Sequence, residues 1–189
     1  MYPVNYQTYV NLEQVTGNLC GLSREGHFRG VATVCCKLFN IVKPHVAIFG
    51  KKDFQQLVVI QRMVKDLNMD IEILSMPTIR EADGLALSSR NIYLQGRERE
   101  TALRLSRSLI LAKRLYDDGQ RNTAKILEAV TDSLSGDPLL SVEYAKICDT
   151  ETIEDLAHIE KEAVIALAAK VGTTRLIDNY VFGEALAIS

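Results

Sequence analysis

No apolar run in this 189-residue sequence approaches the length of a membrane-spanning helix, and its first residues, MYPVNYQTYV, do not make a signal peptide. No membrane partner is therefore expected, and the expected compartment is the cytoplasm. Positive charge is not in excess either: 22 Lys and Arg face 24 Asp and Glu, for a formal net charge of −2 and a pI near 6.0. That balance argues against a general nucleic-acid binder, which carries a strongly basic field. The four cysteines (Cys20, Cys35, Cys36, Cys148) have no metal-site spacing, and Cys35 and Cys36 are adjacent within a helical pattern. All four read as reduced thiols. Internal repeats, low-complexity tracts and linkers are also missing. With 47% hydrophobic and 24% charged residues, the composition is that of a soluble globular protein of one large or two small domains.

The most informative stretch runs from Phe49 to Gln56. A short apolar run, Val46 to Phe49, stops at Gly50, and a helical pattern begins about three residues later. A glycine ending a strand lets the backbone turn tightly and approach a ligand with no Cβ in the way. The following helix offers unpaired N–H groups and the positive end of its dipole, a seat for phosphate. Lys51 and Lys52 add ammonium groups there. Asp53 is placed either to cap the helix or to accept from a ribose hydroxyl. Gln56 lies one turn on, facing the same way. The competing explanation is an ordinary strand–loop–helix joint with solvated lysines.

The elements around it follow from periodicity. Tyr6–Val10 alternates and reads as a strand, although one without obvious neighbours. GLSREGHFRG (Gly21–Gly30) is a polar loop whose Arg24, His27 and Arg29 could meet an anion, but His27 reads better as a residue that fixes the loop. A helix is expected over Val31–Ile41, with Val31, Val34, Cys35, Leu38 and Phe39 on one face. Strand Val46–Phe49, helix Asp53–Leu67 closed by Asn68, and strand Ile71–Leu74 make a βαβ crossover in a parallel sheet. Ligands sit at the carboxyl ends of such strands, where Gly50–Asp53 falls.

Beyond Pro77 the character changes. Ile79–Asn91 is a connection, and its Ser88, Ser89 and Arg90 offer two hydroxyls and a guanidinium fork suited to phosphate oxygens, or simply a polar surface loop. A long helix follows over Glu98–Tyr116, with Ala102, Leu105, Leu109 and Ala112 inward and Arg97, Arg99, Arg104 and Arg107 on a solvated face. Asn122 or Thr123 caps a second helix carrying Ile126, Leu127, Val130 and Leu134, ended by Gly136-Asp137-Pro138. Val142–Cys148 reads as a half-buried strand, and Val164–Val171 with Arg175–Asn179 as a hairpin around Gly172-Thr173.

Taken together, GHFRGVATV, FGKKDFQQL and DGLALSSRN closely resemble the pantothenate synthetase (pantoate–β-alanine ligase) family, within the nucleotidyl-transferase superfamily that includes class I aminoacyl-tRNA synthetases. The likeness runs from about Tyr2 to Asn179. It implies an α/β fold: residues 1–78 as the second half of a Rossmann-like nucleotidyl-transferase domain with a parallel sheet, and residues 79–189 as a small α+β C-terminal domain. It implies the substrates ATP, pantoate and β-alanine, with Mg²⁺ accompanying ATP and no protein-held metal, and a homodimer. Gly50, Lys51, Lys52, Asp53, Ile79, Leu87, Ser88, Ser89 and Arg90 are thereby assigned to ATP, with Asp53 at the ribose and Ile79 meeting the adenine through its backbone. Gln56 is assigned to pantoate. Lys52, Ser88, Ser89 and Arg90 take the catalytic roles, and Leu87, Ser88, Ser89 and Arg90 match the mobile phosphate-gripping segment, the counterpart of the synthetases' KMSKS loop.

The departures from the family pattern are specific. Lys51 stands where a glutamate or glutamine is usual, and Glu25 where a proline is usual; neither change removes a side chain assigned to catalysis. The family's Pro-Thr-Met-Gly turn and His-x-Gly-His motif have no counterpart, since His27, His45 and His158 are far apart. The expectation is a ligase polypeptide lacking the first half of its nucleotide domain and inactive alone, its exposed sheet edges open to a different association. The alternative is a non-catalytic nucleotide-binding or assembly module derived from such a ligase.

Overall fold

Two parallel strands organise the first part of the chain. The computed structural model describes residues 1–186, and the chain divides after Pro77 into two units. In the first unit, helices α1 (Cys20–Ser23) and α2 (His27–Val42) precede strand β1 (Val46–Gly50). Helix α3 (Phe54–Asp66) then leads to strand β2 (Glu72–Met76). β1 and β2 pair in parallel from Val46–Glu72 to Gly50–Met76, so their carboxyl ends are level. Helix α3 buries Phe54, Leu57, Val58 and Met63, as its period requires, together with Val59, Ile60 and Val64. It stops where Asn68 turns left-handed (φ 49°): the Met69 N–H reaches the Val64 carbonyl (3.0 Å) and the Asn68 N–H reaches the Lys65 carbonyl (3.3 Å). This paired closure satisfies two terminal carbonyls, and asparagine tolerates the conformation it needs.

Three expectations for this unit are corrected. Tyr6–Val10 is not a strand, because no other strand lies beside it among the described residues. It lies instead as an irregular segment along α2: the Tyr2, Tyr6 and Tyr9 rings meet edge to face, Lys37 lies over Tyr6 (4.7 Å), and the Val10 N–H donates to Thr33 Oγ1 (3.0 Å). Helix α2 begins four residues before the expected Val31, at His27, after Gly26 in the left-handed region (φ 72°). The face it buries is Phe28, Ala32 and Thr33, whereas Leu38, Ile41 and Val42 are exposed.

The second unit is an antiparallel sheet under two helices. Its elements are α4 (Arg97–Asp117), α5 (Thr123–Leu134), β3 (Leu140–Asp149), β4 (Ala163–Val171) and β5 (Thr174–Val181), with β4 central. Ala102, Leu105, Leu109 and Ala112 of α4 and Ile126, Val130 and Leu134 of α5 join Ile147, Ile165 and Leu167 in one core. Asn122 caps α5, its Oδ1 accepting from the Lys125 N–H at 3.1 Å. Gly172 (φ 56°) and Thr173 make the two-residue turn between β4 and β5. The whole is mixed α/β: a parallel pair of strands in one unit and a three-stranded antiparallel sheet in the other.

Candidate functional site

Strand β1 delivers Gly50 to the carboxyl edge of the parallel pair, and a 3₁₀ turn, Lys51–Asp53, carries the chain into α3. The backbone at Gly50 is extended (φ −78°, ψ 138°), which any residue adopts, so the turn itself does not require glycine. What glycine supplies is space: a Cβ at this position would meet nothing within 4 Å. Gly50 with open space over its Cα, the half-buried Lys51 and Lys52, and the first turn of α3 thus follow one another at the carboxyl end of a parallel strand, a candidate cradle for an anion. Asp53 occupies the N-cap position of α3 but its carboxylate makes no capping bond, so the capping alternative is not realised and the side chain is exposed. Gln56, half-buried, lies in the first turn of α3 beyond it.

The neighbouring Gln55 escaped notice in the sequence. It is only 5% exposed: its Oε1 accepts from the Cys20 N–H (3.0 Å), and its Nε2 donates to the carbonyls of Val15 (3.0 Å) and Asn18 (2.7 Å). One turn before the fully buried Val59, it shares that helix face, and this spacing was the available signal. Gln55 thus fastens the loop before α1 to the helix start that forms the cradle. His27 fixes its loop as expected, with Nε2 3.0 Å from Arg24 Nη1, while the Arg29 guanidinium lies 3.8 Å from the centre of the Tyr9 ring. A cleft of about 490 Å³ lined by Phe39, Lys43, His45, Leu67 and Met69 opens at the amino ends of β1 and β2, the end such sheets do not use for ligands.

In the second unit, Ile79, Leu87, Ser88, Ser89 and Arg90 belong to one tied loop. Arg80 bridges Ala86 in antiparallel fashion, the Leu87 N–H donates to the Ile79 carbonyl (2.9 Å), and Gly84 (φ 91°) turns between them. Ser88 Oγ accepts from the Arg90 N–H (3.2 Å) at the start of a 3₁₀ turn, Ser89–Tyr93. Ile79, Leu87, Ser89 and Arg90 are exposed. The loop's base is held by charge. Arg80 makes a two-pronged pair with Asp178 of β5 (2.7 and 2.9 Å) and also donates to the Gly84 carbonyl (3.1 Å). Arg99 is not on a solvated face as expected: it grips Asp83 through two bonds of 2.8 Å and Glu81 through one of 2.7 Å. Arg97, exposed as expected, and the half-buried Arg104 approach Asp137, at 3.7 and 3.8 Å.

Asn91 completes this base, its Nδ2 donating to Glu81 Oε1 (2.5 Å) and to the Ala86 carbonyl (3.1 Å). The Asn91 bond, followed by that from Arg99, holds the Glu81 carboxyl below its ordinary value. Burial pushes Asp83 upward, but the bonds from Arg99 and the Leu85 N–H outweigh it and leave its carboxyl lowered as well. Asn91 Oδ1 is buried without a hydrogen-bond partner among the described residues. Arg80, Glu81, Asn91, Arg99 and Asp178 were not legible as a group, because their partners lie up to 98 residues apart.

Among the described residues no three His, Cys, Asp or Glu side chains are grouped so as to hold a metal ion. Burial, with its bond to Asp155, pushes the Cys148 thiol up to about 12, which removes it as a nucleophile. Each unit by itself offers groups suited to an anion: ammonium and backbone N–H groups at Lys51–Asp53 in the first, hydroxyl and guanidinium groups at Ser88–Arg90 in the second.

The sequence pattern of the family described as "Pantoate-beta-alanine ligase" matches residues 1–181. The pantothenate synthetase of Syntrophus aciditrophicus is 64% identical over 188 residues, covering 100% of this chain and 66% of that protein. Among solved structures, the pantothenate synthetase of Thermus thermophilus superposes with a TM-score of 0.90 at 41% identity, over 95% of this chain and 65% of the other. The pantoate-beta-alanine ligase of Francisella tularensis, solved in complex with "Beta-gamma ATP and Beta-alanine", gives 0.72 at 29%, over 98% and 62%. The chain thus spans just under two thirds of the length of these relatives.

Proposed function

Because the chain belongs to the pantoate–β-alanine ligase family, we propose that its residues serve the ATP-dependent condensation of pantoate with β-alanine to pantothenate. Pantoate attacks the α-phosphorus of ATP and pyrophosphate leaves. β-Alanine then attacks the pantoyl adenylate and AMP leaves. The observation that carries this reading is the cradle: a strand-end glycine with open space over its Cα, followed by two lysines and a helix start. The ATP and β-alanine bound in the Francisella relative support both ligands.

In this reading Gly50 lets the triphosphate approach the backbone, while Lys51 and Lys52 neutralise it. Asp53 accepts from the ribose, and Gln56 holds the pantoate. Ile79 meets the adenine through its backbone, and Leu87 leads the phosphate-gripping segment. Ser88, Ser89 and Arg90 grip the phosphates as pyrophosphate departs. Charge build-up on the pentacovalent phosphorus and the leaving group is what these cations offset. Mg²⁺ enters on the nucleotide. A homodimer and a cytoplasmic setting belong to the same proposal; none of the four cysteines forms a disulfide, and no helix among the described residues is long and apolar enough to cross a membrane.

The 189 residues alone are inactive in this proposal. Parallel sheets are ordinarily covered on both faces, yet β1 exposes Val46 (42%) and Ile48 (66%), and β2 exposes Leu74 (39%) and Met76 (51%). The test is to graft the chain into the Syntrophus relative in place of the stretch it matches. The graft is expected to convert ATP, pantoate and β-alanine into AMP and pantothenate, and the isolated chain to make neither. A properly folded graft that forms no pantothenate would refute the assignment.

A further inference from the structure

Asn91 follows Arg90 directly and is 7% exposed. Its Nδ2 donates across the loop to Glu81 Oε1 and to the Ala86 carbonyl, joining the two limbs from which Ser88–Arg90 projects. Glu81 is in turn fixed by Arg99, which also grips Asp83. Meanwhile Asn91 Oδ1 is buried without a donor among the described residues. Turning the amide over offers no remedy, since Oδ1 would then face a carboxylate and a carbonyl, both acceptors. Both bonds that Asn91 makes go through its NH₂ group, so the side chain serves here as a donor.

We propose that Asn91 is the positioning residue for the Ser88–Arg90 segment: its two donated bonds, backed by Glu81 and Arg99, fix the point from which the serines and the arginine reach their anion. Asn91 touches no ligand in this scheme and acts through the segment. That the anion is a nucleotide phosphate rests on the function proposed above; the positioning itself does not.

The substitution Asn91→Asp replaces the donor with a carboxylate facing Glu81 and the Ala86 carbonyl, with Asp83 and Arg99 the other charges nearby. Repulsion at neutral pH should release the segment. Acidification lets one proton be shared between the two carboxyls and restores a donated bond. Hydrogen–deuterium exchange of residues 87–94 in the 189-residue chain, taken relative to the unmutated chain at each pH, reads this directly. The expected result is exchange faster by on the order of tenfold near pH 8, recovering towards the unmutated rate near pH 5. Glu81→Ala, at a half-exposed position, should loosen the same residues without recovery in acid.

The proposal is overturned if residues 87–94 exchange at the unmutated rate in both variants, or if residues 163–171 of β4 loosen equally. Adding Mg·ATP to the chain grafted into its Syntrophus relative separates the two ideas. Slower exchange of residues 87–94 supports the phosphate grip. Its absence, with the variant effects intact, counts against that grip and leaves the positioning role standing.

Discussion

Arg80 and Asp178, 98 residues apart, close a two-pronged ion pair whose side chains are only 5% and 2% exposed. The pair fastens the loop carrying Ser88–Arg90 to the strand β5. Removing one partner leaves the other charged and buried, so Asp178→Ala should destabilise the second unit by about 3–5 kcal/mol. Replacing both with apolar residues of similar volume should cost far less, because the pair's own desolvation largely offsets its attraction. Denaturant unfolding of the single and double variants compares the two costs.

Acid should weaken the same unit in a defined window. Burial pushes the Asp149 carboxyl up, but Lys161 (2.5 Å) and the N–H groups of Glu151 and Thr152 (2.8 Å each) more than reverse this and bring it down to about 2. A carboxyl whose folded value lies below its unfolded one stabilises the fold above the unfolded value, near pH 4, and that stability is lost as pH falls through about 2. The contribution is about 2 kcal/mol. Asp149→Asn should flatten the decline in unfolding free energy between about pH 4 and pH 2.

Gln55 makes a separate prediction for the first unit. Gln55→Ala removes the bonds to the Cys20 N–H and to the Val15 and Asn18 carbonyls, so the loop before α1 should loosen at a cost of about 1–3 kcal/mol. Exchange of the Cys20 amide should quicken while that of Ile60, at the centre of α3, stays slow.

Legibility in the sequence followed the range of the interaction. β1, α3 and β2 were visible because short apolar runs and a single helical period, punctuated by Gly50 and Asn68, are local signals. The Gly172-Thr173 turn and the Asn122 cap were visible for the same reason. Tyr6–Val10 misled because alternation predicts a strand only where a neighbour exists to pair with it; here its rings settle on α2 instead. The apolar stripe of α2 pointed to Leu38 as inward, yet the helix buries Phe28 and Ala32. In the candidate site, Gly50–Asp53 and Ser88–Arg90 were legible as motifs. The supports beneath the latter were not, since nothing local ties Arg99 to Glu81 or Arg80 to Asp178.

In the proposed reaction the Lys51–Asp53 cradle and the Ser88–Arg90 segment serve one adenylation. The direct measurement is exchange of labelled pyrophosphate into ATP, with the chain grafted into its Syntrophus relative. Exchange is predicted to require pantoate but not β-alanine, and to fall on the order of 100-fold, about 3 kcal/mol, in Lys52→Ala and again in Arg90→Ala. Exchange that proceeds without pantoate, or that survives undiminished in either variant, would contradict this shared role.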